Sequence, residues 1–126
     1  MSNINEGYSV TEEIANAVSH GLGALLSVAA LTLLVTYAVL QGEPIRIASF
    51  AIYGTSLVLL FSASTLYHSF TNEKAKRLFK LFDHCAIYIL IAGTYTPLML
   101  LTLDGSLGIN MLIVIWVLAL SGVLFK

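Results

Sequence analysis

Residues 21–40 read GLGALLSVAALTLLVTYAVL, twenty consecutive positions without a charged side chain. Residues 47–67 (IASFAIYGTSLVLLFSASTLY) repeat the pattern over twenty-one positions, and residues 85–103 and 107–125 over nineteen each. An α-helix needs roughly 20 apolar residues to cross the hydrocarbon layer of a bilayer. Each of the four segments is therefore long enough to be a transmembrane helix.

The composition agrees with this interpretation. Of the 126 residues, 58% are hydrophobic and 10% are charged, and the mean hydropathy is +0.90, whereas a soluble domain carries about 25% charged residues. Helices of a soluble bundle would show a polar stripe, and open β-structure would leave unpaired backbone groups in lipid. We therefore predict an all-α, polytopic transmembrane bundle of four spans.

The chain divides into a polar N-terminal segment, residues 1–20, and a transmembrane domain, residues 21–126. The N-terminal segment is acidic and lacks the basic start and short apolar core of a secretory signal. Ser9 and Glu12 have the spacing of a capping box, which predicts a helix that begins near Thr11.

The connections between the spans are short. Gly42 and Pro44 indicate a turn within residues 41–46, residues 69–82 are predicted as a longer polar loop, and residues 104–106 (Asp-Gly-Ser) as a tight turn. Pro97, with threonines beside it, is expected to kink span three.

The basic residues predict the orientation. Residues 69–82 contain four of the six Lys and Arg residues, namely Lys74, Lys76, Arg77 and Lys80. Cytoplasmic loops carry an excess of such residues. This loop and the N-terminus are therefore predicted to be cytoplasmic, in a multi-pass protein of the cell membrane.

Four ionisable residues should meet at this cytoplasmic level, because neighbouring spans run in opposite directions. His20 begins span one, His68 ends span two, and Asp83 and His84 begin span three. Ionisable groups at membrane depth are costly unless paired, hydrated or metal-bound, so they are functional candidates.

Helical spacing adds three polar residues to these functional candidates: Glu13, Asn16 and Ser64. Glu13, Asn16 and His20 share one helical face, as do Ser64 and His68. The Ser64 hydroxyl is placed to orient the His68 imidazole or a ligand beside it.

Two histidines and an aspartate suit zinc, and a carboxylate beside a zinc-bound water could act as a general base. The residues also fit other interpretations. His20 and His68 could lie in the headgroup region, and Asp83 could be a helix-start carboxylate favoured by the helix dipole. His84 points about 100° away from Asp83 on a helix and is interpreted as interfacial rather than as a ligand.

Other classes of function are disfavoured. Cys85 is the single cysteine, so an intramolecular disulfide and a cysteine-based metal site are excluded. Without a basic face interleaved with aromatic residues, nucleic acid is not a predicted partner. Membrane lipid and a homo-oligomer are the predicted partners, and small residues such as Gly21 and Gly23 permit close helix packing.

Several motifs together resemble the hemolysin III family. They are Glu13-x2-Asn16-x3-His20, Ser64-x3-His68, the basic stretch that leads to Phe82-Asp83-His84, and residues 93–97 (GTYTP). The resemblance covers roughly residues 12–126. This family belongs with the progestin and adipoQ receptors, which include the adiponectin receptors.

The resemblance implies a seven-helix membrane protein with a zinc ion near its cytoplasmic side. His68 would be one zinc ligand, two histidines of an H-x3-H motif in the last helix would be the others, and Asp83 would lie beside the zinc-bound water. The implied activity is zinc-dependent hydrolysis of lipid amides or esters. Pore-forming haemolysin (cytolysin) or channel-like activity is the alternative that the family name implies.

The sequence departs from the family pattern after its fourth span. It lacks the H-x3-H motif, so it offers one of the three family ligands. Either it is a partial member, in the extreme an inactive fragment, or a partner chain completes the site. Whether the chain is an enzyme is left open at this point.

Overall fold

The computed structural model describes residues 8–103 and 105–126. Within these residues it contains four α-helices and no strand: α1 (Val10–Gln41), α2 (Pro44–Ser69), α3 (Glu73–Thr102) and α4 (Gly105–Leu124). Each helix is long and apolar enough to cross a membrane. The predicted all-α transmembrane bundle is confirmed.

Helix α1 begins well before its apolar stretch. The Ser9 hydroxyl accepts a hydrogen bond from the Glu12 backbone N–H (3.1 Å), and the Glu12 carboxylate accepts one from the Ser9 N–H (2.9 Å), so the predicted capping box is confirmed. The helix ends at Gly42, whose φ of 73° lies in the left-handed region that glycine adopts without strain. Glu13 and His20 therefore belong to the same continuous helix as span one.

The predicted polar loop over residues 69–82 is wrong for most of its length. The Asn72 side chain accepts hydrogen bonds from the backbone N–H groups of Lys74 (3.0 Å) and Ala75 (3.1 Å), and α3 begins at Glu73. An asparagine at the N-cap followed by an acidic first residue starts a helix even where the sequence is charged. Asp83 thus lies ten residues inside α3, so the helix-start interpretation of its carboxylate is wrong.

The helices pack in chain order, α1 on α2, α2 on α3 and α3 on α4. Small residues lie between them: a Cβ built on Gly54 would approach the Leu31 backbone to 3.0 Å, and one on Gly93 would meet the Ser56 side chain. Such residues let backbones approach closely where no hydrophobic force joins the helices. The leucines and isoleucines that this packing leaves outside cover much of the surface, as a lipid-facing exterior requires.

Helix α3 continues through Pro97. The hydroxyls of Thr94 and Thr96 donate to the backbone carbonyls of Leu90 (2.7 Å) and Ala92 (2.8 Å), as expected for threonines near a helix-interior proline. Trp116 of α4 donates its indole N–H to the Thr96 hydroxyl (3.0 Å), which joins the last two helices.

The turn predicted at residues 104–106 is described only in part. Asp104 lies outside the described residues. Gly105 has a φ of 66° and begins α4. Cys85 is half-buried with a free thiol, in keeping with its exclusion from a disulfide.

Candidate functional site

The carboxylate of Glu13 lies where three helices meet. It belongs to α1 and is only 7% exposed. Its Oε1 lies 2.7 Å from Nδ1 of His68 on α2. Because a carboxylate can only accept hydrogen bonds, the imidazole is the donor. Oε2 of Glu13 accepts a hydrogen bond from the ammonium of Lys76 on α3. We call these three buried side chains the Glu13 triad.

Lys76 is anchored by the end of α2 as well as by Glu13. Its Nζ donates to the backbone carbonyl of Tyr67 (2.8 Å) and lies 3.5 Å from that of Phe70, close to where α2 ends and carbonyls lack helical partners. The same nitrogen lies 4.8 Å from the centre of the Tyr67 ring, within cation–π range. Three acceptors and an aromatic face thus surround a cation that is 7% exposed.

His20 lies beside the triad on α1. Its Nδ1 shares a hydrogen bond with the Ser64 hydroxyl of α2, and its ring centre is 5.9 Å from that of His68, with the planes nearly perpendicular. Thr65 donates its hydroxyl to the Ala17 carbonyl of α1 (2.5 Å). These contacts fix the rotation of α1 against α2.

The prediction that Ser64 orients the His68 imidazole is therefore wrong, whereas its other predicted role, orienting a ligand beside His68, stays a prediction. The two residues share a face of α2, as their spacing predicts. However, α1 crosses that face and brings a partner to each polar group: the Glu13 carboxylate accepts from His68, and the His20 imidazole shares a hydrogen bond with the Ser64 hydroxyl.

Asp83 and His84 lie further along the same end of the bundle. The side chain of Asp83 is 14% exposed, and His84 Nδ1 lies 3.6 Å from its Oδ2. His84 donates from Nδ1 to the Lys80 backbone carbonyl (2.8 Å). The Tyr67 ring contacts both histidine rings, with centres 4.6 Å from His68 and 6.4 Å from His84.

The structure thus joins Glu13, His20, Ser64 and His68 in one cluster of contacts, whereas the described contacts of Asp83 and His84 are with each other and, for His84, with Lys80 and the Tyr67 ring. Asn16 is half-buried on α1, where its backbone carbonyl accepts from the Ser19 hydroxyl (3.3 Å). In the part of the chain that the structure describes, Asn16 stands outside the hydrogen-bonded cluster.

A groove of about 320 Å³ opens beside the triad, between the start of α1 and the end of α2. Its polar wall is formed by Glu13 and His68, and its apolar wall includes Ile14 and Val18, which face the outside of the bundle. The polar end of the site is therefore open to the apolar outer surface of the bundle.

Comparison with known proteins agrees with this arrangement of motifs. Residues 8–126 match the family model described as haemolysin-III related. The chain belongs to the haemolysin-III-related family. The predicted resemblance to the hemolysin III family is thereby confirmed.

Named relatives of this haemolysin-III-related chain come from bacteria and from animals. It is 50% identical over 119 residues to a hemolysin-3 homolog of Bacillus subtilis (94% of this chain, 56% of that protein). It is also 50% identical over 117 residues to hemolysin-3 of Bacillus cereus (93% and 53%). The human monocyte to macrophage differentiation factor is 33% identical over 79 residues (59% and 33%).

The chain spans about half the length of the bacterial relatives that it matches. No solved structure matches it.

The described residues of this haemolysin-III-related chain can supply one ligand of a zinc site but not a complete set of ligands. His68 donates Nδ1–H to a carboxylate, and imidazoles that bind a metal through the other nitrogen are commonly held in this way. Within residues 8–103 and 105–126, however, no group of three or more His, Cys, Asp or Glu side chains is placed to hold a metal ion. A complete zinc site would need donors beyond those residues.

Sequence reasoning missed Lys76 as a site residue and used it only as a charge that sets orientation. The signal was present in Asn72, a helix N-cap residue type. A helix that begins after Asn72 places Lys76 on the same face as Phe79 and Asp83, at i+3 and i+7. From that face Lys76 contacts Glu13 of α1 and Tyr67 of α2.

Proposed function

We propose that this haemolysin-III-related membrane protein contributes His68 and Asp83 to a zinc-dependent, hydrolase-type site that acts on lipid amides or esters. The observation that carries the proposal is the buried hydrogen bond from His68 Nδ1 to Glu13 Oε1. It presents Nε2 of a membrane-embedded imidazole as an available donor. Ionisable groups at this depth are costly and usually functional.

Zinc, when bound, would supply an electrophile for the substrate carbonyl and a water of lowered pKa. The residues of this chain have separate tasks around it. His68 would hold the ion through Nε2, while Glu13 holds its Nδ1–H. Asp83 would accept a proton from water at its carboxylate. His20 and Ser64, joined to each other, are the polar side chains next to His68.

The remaining donors are proposed to come from the rest of the family length or from another copy of the chain in a homo-oligomer. A soluble substrate would not need the groove beside Glu13 and His68. A lipid would, because its chains can lie against Ile14 and Val18 while its polar group reaches His68. This geometry supports a substrate that enters from the membrane.

The test of this proposal is Asp83→Asn in a chain of the full family length. Zinc content should stay near the unmodified value, since the substitution changes the partner of the water and not a metal ligand. Hydrolysis of lipid amides or esters should fall about 10²–10⁴-fold, the usual contribution of a general base. Metal analysis and a product assay on the same preparation decide between the outcomes, and unchanged hydrolysis would reject Asp83 as the base.

Lysis by pore formation is the second candidate, and the name hemolysin-3 of two relatives favours it. The hydroxyls between the helices do not favour it. Ser27, Ser56 and Thr96 donate to carbonyls of their own helices, Gly23, Tyr53 and Ala92, so they do not line a polar path. Dye release from vesicles that contain the protein, retained in Asp83→Asn, would support a pore over hydrolysis.

We also propose that the Glu13 triad lies at the cytoplasmic side of the cell membrane. Single cysteines placed at the exposed positions Lys74 and Gln41 should then react differently in intact cells. A reagent that cannot cross the membrane should label position 41 and spare position 74 until the cells are opened, because basic loops stay inside. Labelling of position 74 in intact cells would invert the orientation.

A further inference from the structure

Lys76 is the buried charge that the proposed chemistry does not use. It stands one side chain away from His68, with Glu13 between them. Its other contacts, the carbonyls of Tyr67 and Phe70 and the Tyr67 ring, hold it at the end of α2. A cation buried in this way is rare in a membrane helix and marks a specific role.

We infer that Lys76 is a positioning residue, which holds the Glu13 carboxylate so that His68 places its proton on Nδ1 and turns Nε2 away from Glu13. The carboxylate has two oxygens, and each has one partner. Oε2 is taken by a cation from α3, so Oε1 is directed at the imidazole of α2. Since a carboxylate only accepts hydrogen bonds, the nitrogen that faces it must be the one that bears hydrogen.

The alternative is a purely structural ion pair, in which Lys76 and Glu13 join α1 to α3 and the proton position on His68 is incidental. The two interpretations separate when the carboxylate is replaced by an amide. An amide has one oxygen, which accepts hydrogen bonds, and one NH₂ group, which donates them. It therefore cannot accept from Lys76 on one side and from His68 on the other, as the carboxylate does. The charged ammonium takes the oxygen, because charge-assisted hydrogen bonds are the stronger ones.

In E13Q the NH₂ group consequently faces His68 Nδ1 and needs an acceptor there. The imidazole should move its proton to Nε2, the nitrogen proposed for the metal. In the double variant E13Q/K76M no ammonium competes for the amide oxygen, which can turn to His68. The tautomer with its proton on Nδ1 should then return, even though the double variant carries two substitutions and E13Q only one.

The measurement is the tautomer of His68 from the ring ¹⁵N chemical shifts, recorded on histidine-labelled protein in lipid nanodiscs at one fixed pH. His68→Gln assigns the His68 signals among the three histidines of the chain. The ratio of Nδ1–H to Nε2–H should fall at least about tenfold in E13Q, as for a lost hydrogen bond to a charged group. It should recover in E13Q/K76M. Lys74→Met, an exposed lysine on the same helix turn, should leave the ratio unchanged.

Two results would overturn the inference: a tautomer ratio that is the same in E13Q as in the unmodified protein, or a double variant that stays like E13Q. If E13Q does not fold, the ratio in K76M answers the question. Without the ammonium nothing holds Oε2 of Glu13, so the carboxylate can turn away from the imidazole and the ratio should fall. An unchanged ratio in folded K76M would reject the positioning role.

The consequence for metal rests on the proposed function and has its own readout. In a chain of the full family length, E13Q should lower zinc content and E13Q/K76M should restore it. If the tautomer follows the expected cycle and zinc content does not, Lys76 positions His68 but His68 is not a zinc ligand. If zinc is absent from all variants, the proposed function fails while the tautomer result stands.

Discussion

His68→Ala is expected to remove most of the zinc from a chain of the full family length, which should otherwise hold about one ion per chain. Zinc sites need about four donors in a closed or water-completed tetrahedron, and the loss of one imidazole breaks that set. The buried Glu13 carboxylate would also lose its partner at Oε1. The measurement is the zinc content of purified protein after dialysis against a weak chelator.

Two comparisons make this result specific. The 126-residue chain should bind zinc weakly or not at all, because its described residues contain no group of three donors. His84→Ala should leave the zinc of the longer chain in place, since His84 is not one of the ligands that the family implies and lies outside the Glu13–His68 cluster of contacts. Tightly held, stoichiometric zinc in the 126-residue chain would mean that His20 or His84 completes the site, and the ligand set implied by the family would be wrong here.

Glu13→Ala is expected to destabilise the protein more than any removal of an exposed charge. It leaves the Lys76 ammonium buried without its carboxylate, and breaking a buried ion pair in this way costs about 3–5 kcal/mol. His68 loses its acceptor as well. The midpoint of thermal unfolding in detergent, followed by helical circular dichroism, should fall clearly below that of the unmodified chain.

Glu43→Ala is the matched control. Glu43 forms an ion pair with Arg46 (3.5 Å) in which the Glu43 side chain is 54% exposed, and exposed pairs contribute about 0–1 kcal/mol. A second comparison is E13L/K76M, which replaces both charges by apolar groups of similar size. Because a buried pair is often no better than apolar packing, this variant should recover much of the stability that Glu13→Ala loses. Equal midpoints for Glu13→Ala and Glu43→Ala would show that the triad does not stabilise the bundle.

Hydrophobicity within single segments was enough to predict much of this fold. Four apolar stretches predicted four helices, and the Ser9–Glu12 spacing predicted where α1 begins. These features depend on residues that are close in sequence, since helical hydrogen bonds and caps span only three or four positions. The start of α3 had the same kind of signal in Asn72, but the run of charges after it was interpreted as a loop.

For the candidate site, the sequence predicted which residues take part but not which of them contact one another. Helical spacing placed Glu13 and His20 on one face of α1, and Ser64 and His68 on one face of α2. It could not determine which residue of one face meets which residue of the other. Two helices that pack side by side can rotate and slide, and a shift of one turn changes every pair.

The amino-acid sequence by itself determined that this chain is a membrane bundle of four helices with its ionisable residues near one end. Only the tertiary structure decided that Glu13 binds His68, that Ser64 binds His20, and that Lys76 belongs to the site. The physical reason is that glycine and serine contacts such as Gly54 with Leu31 and Gly93 with Ser56 set how closely and at what rotation the helices pack. Those contacts join residues more than twenty positions apart, and they determine which polar groups come within hydrogen-bonding distance of one another.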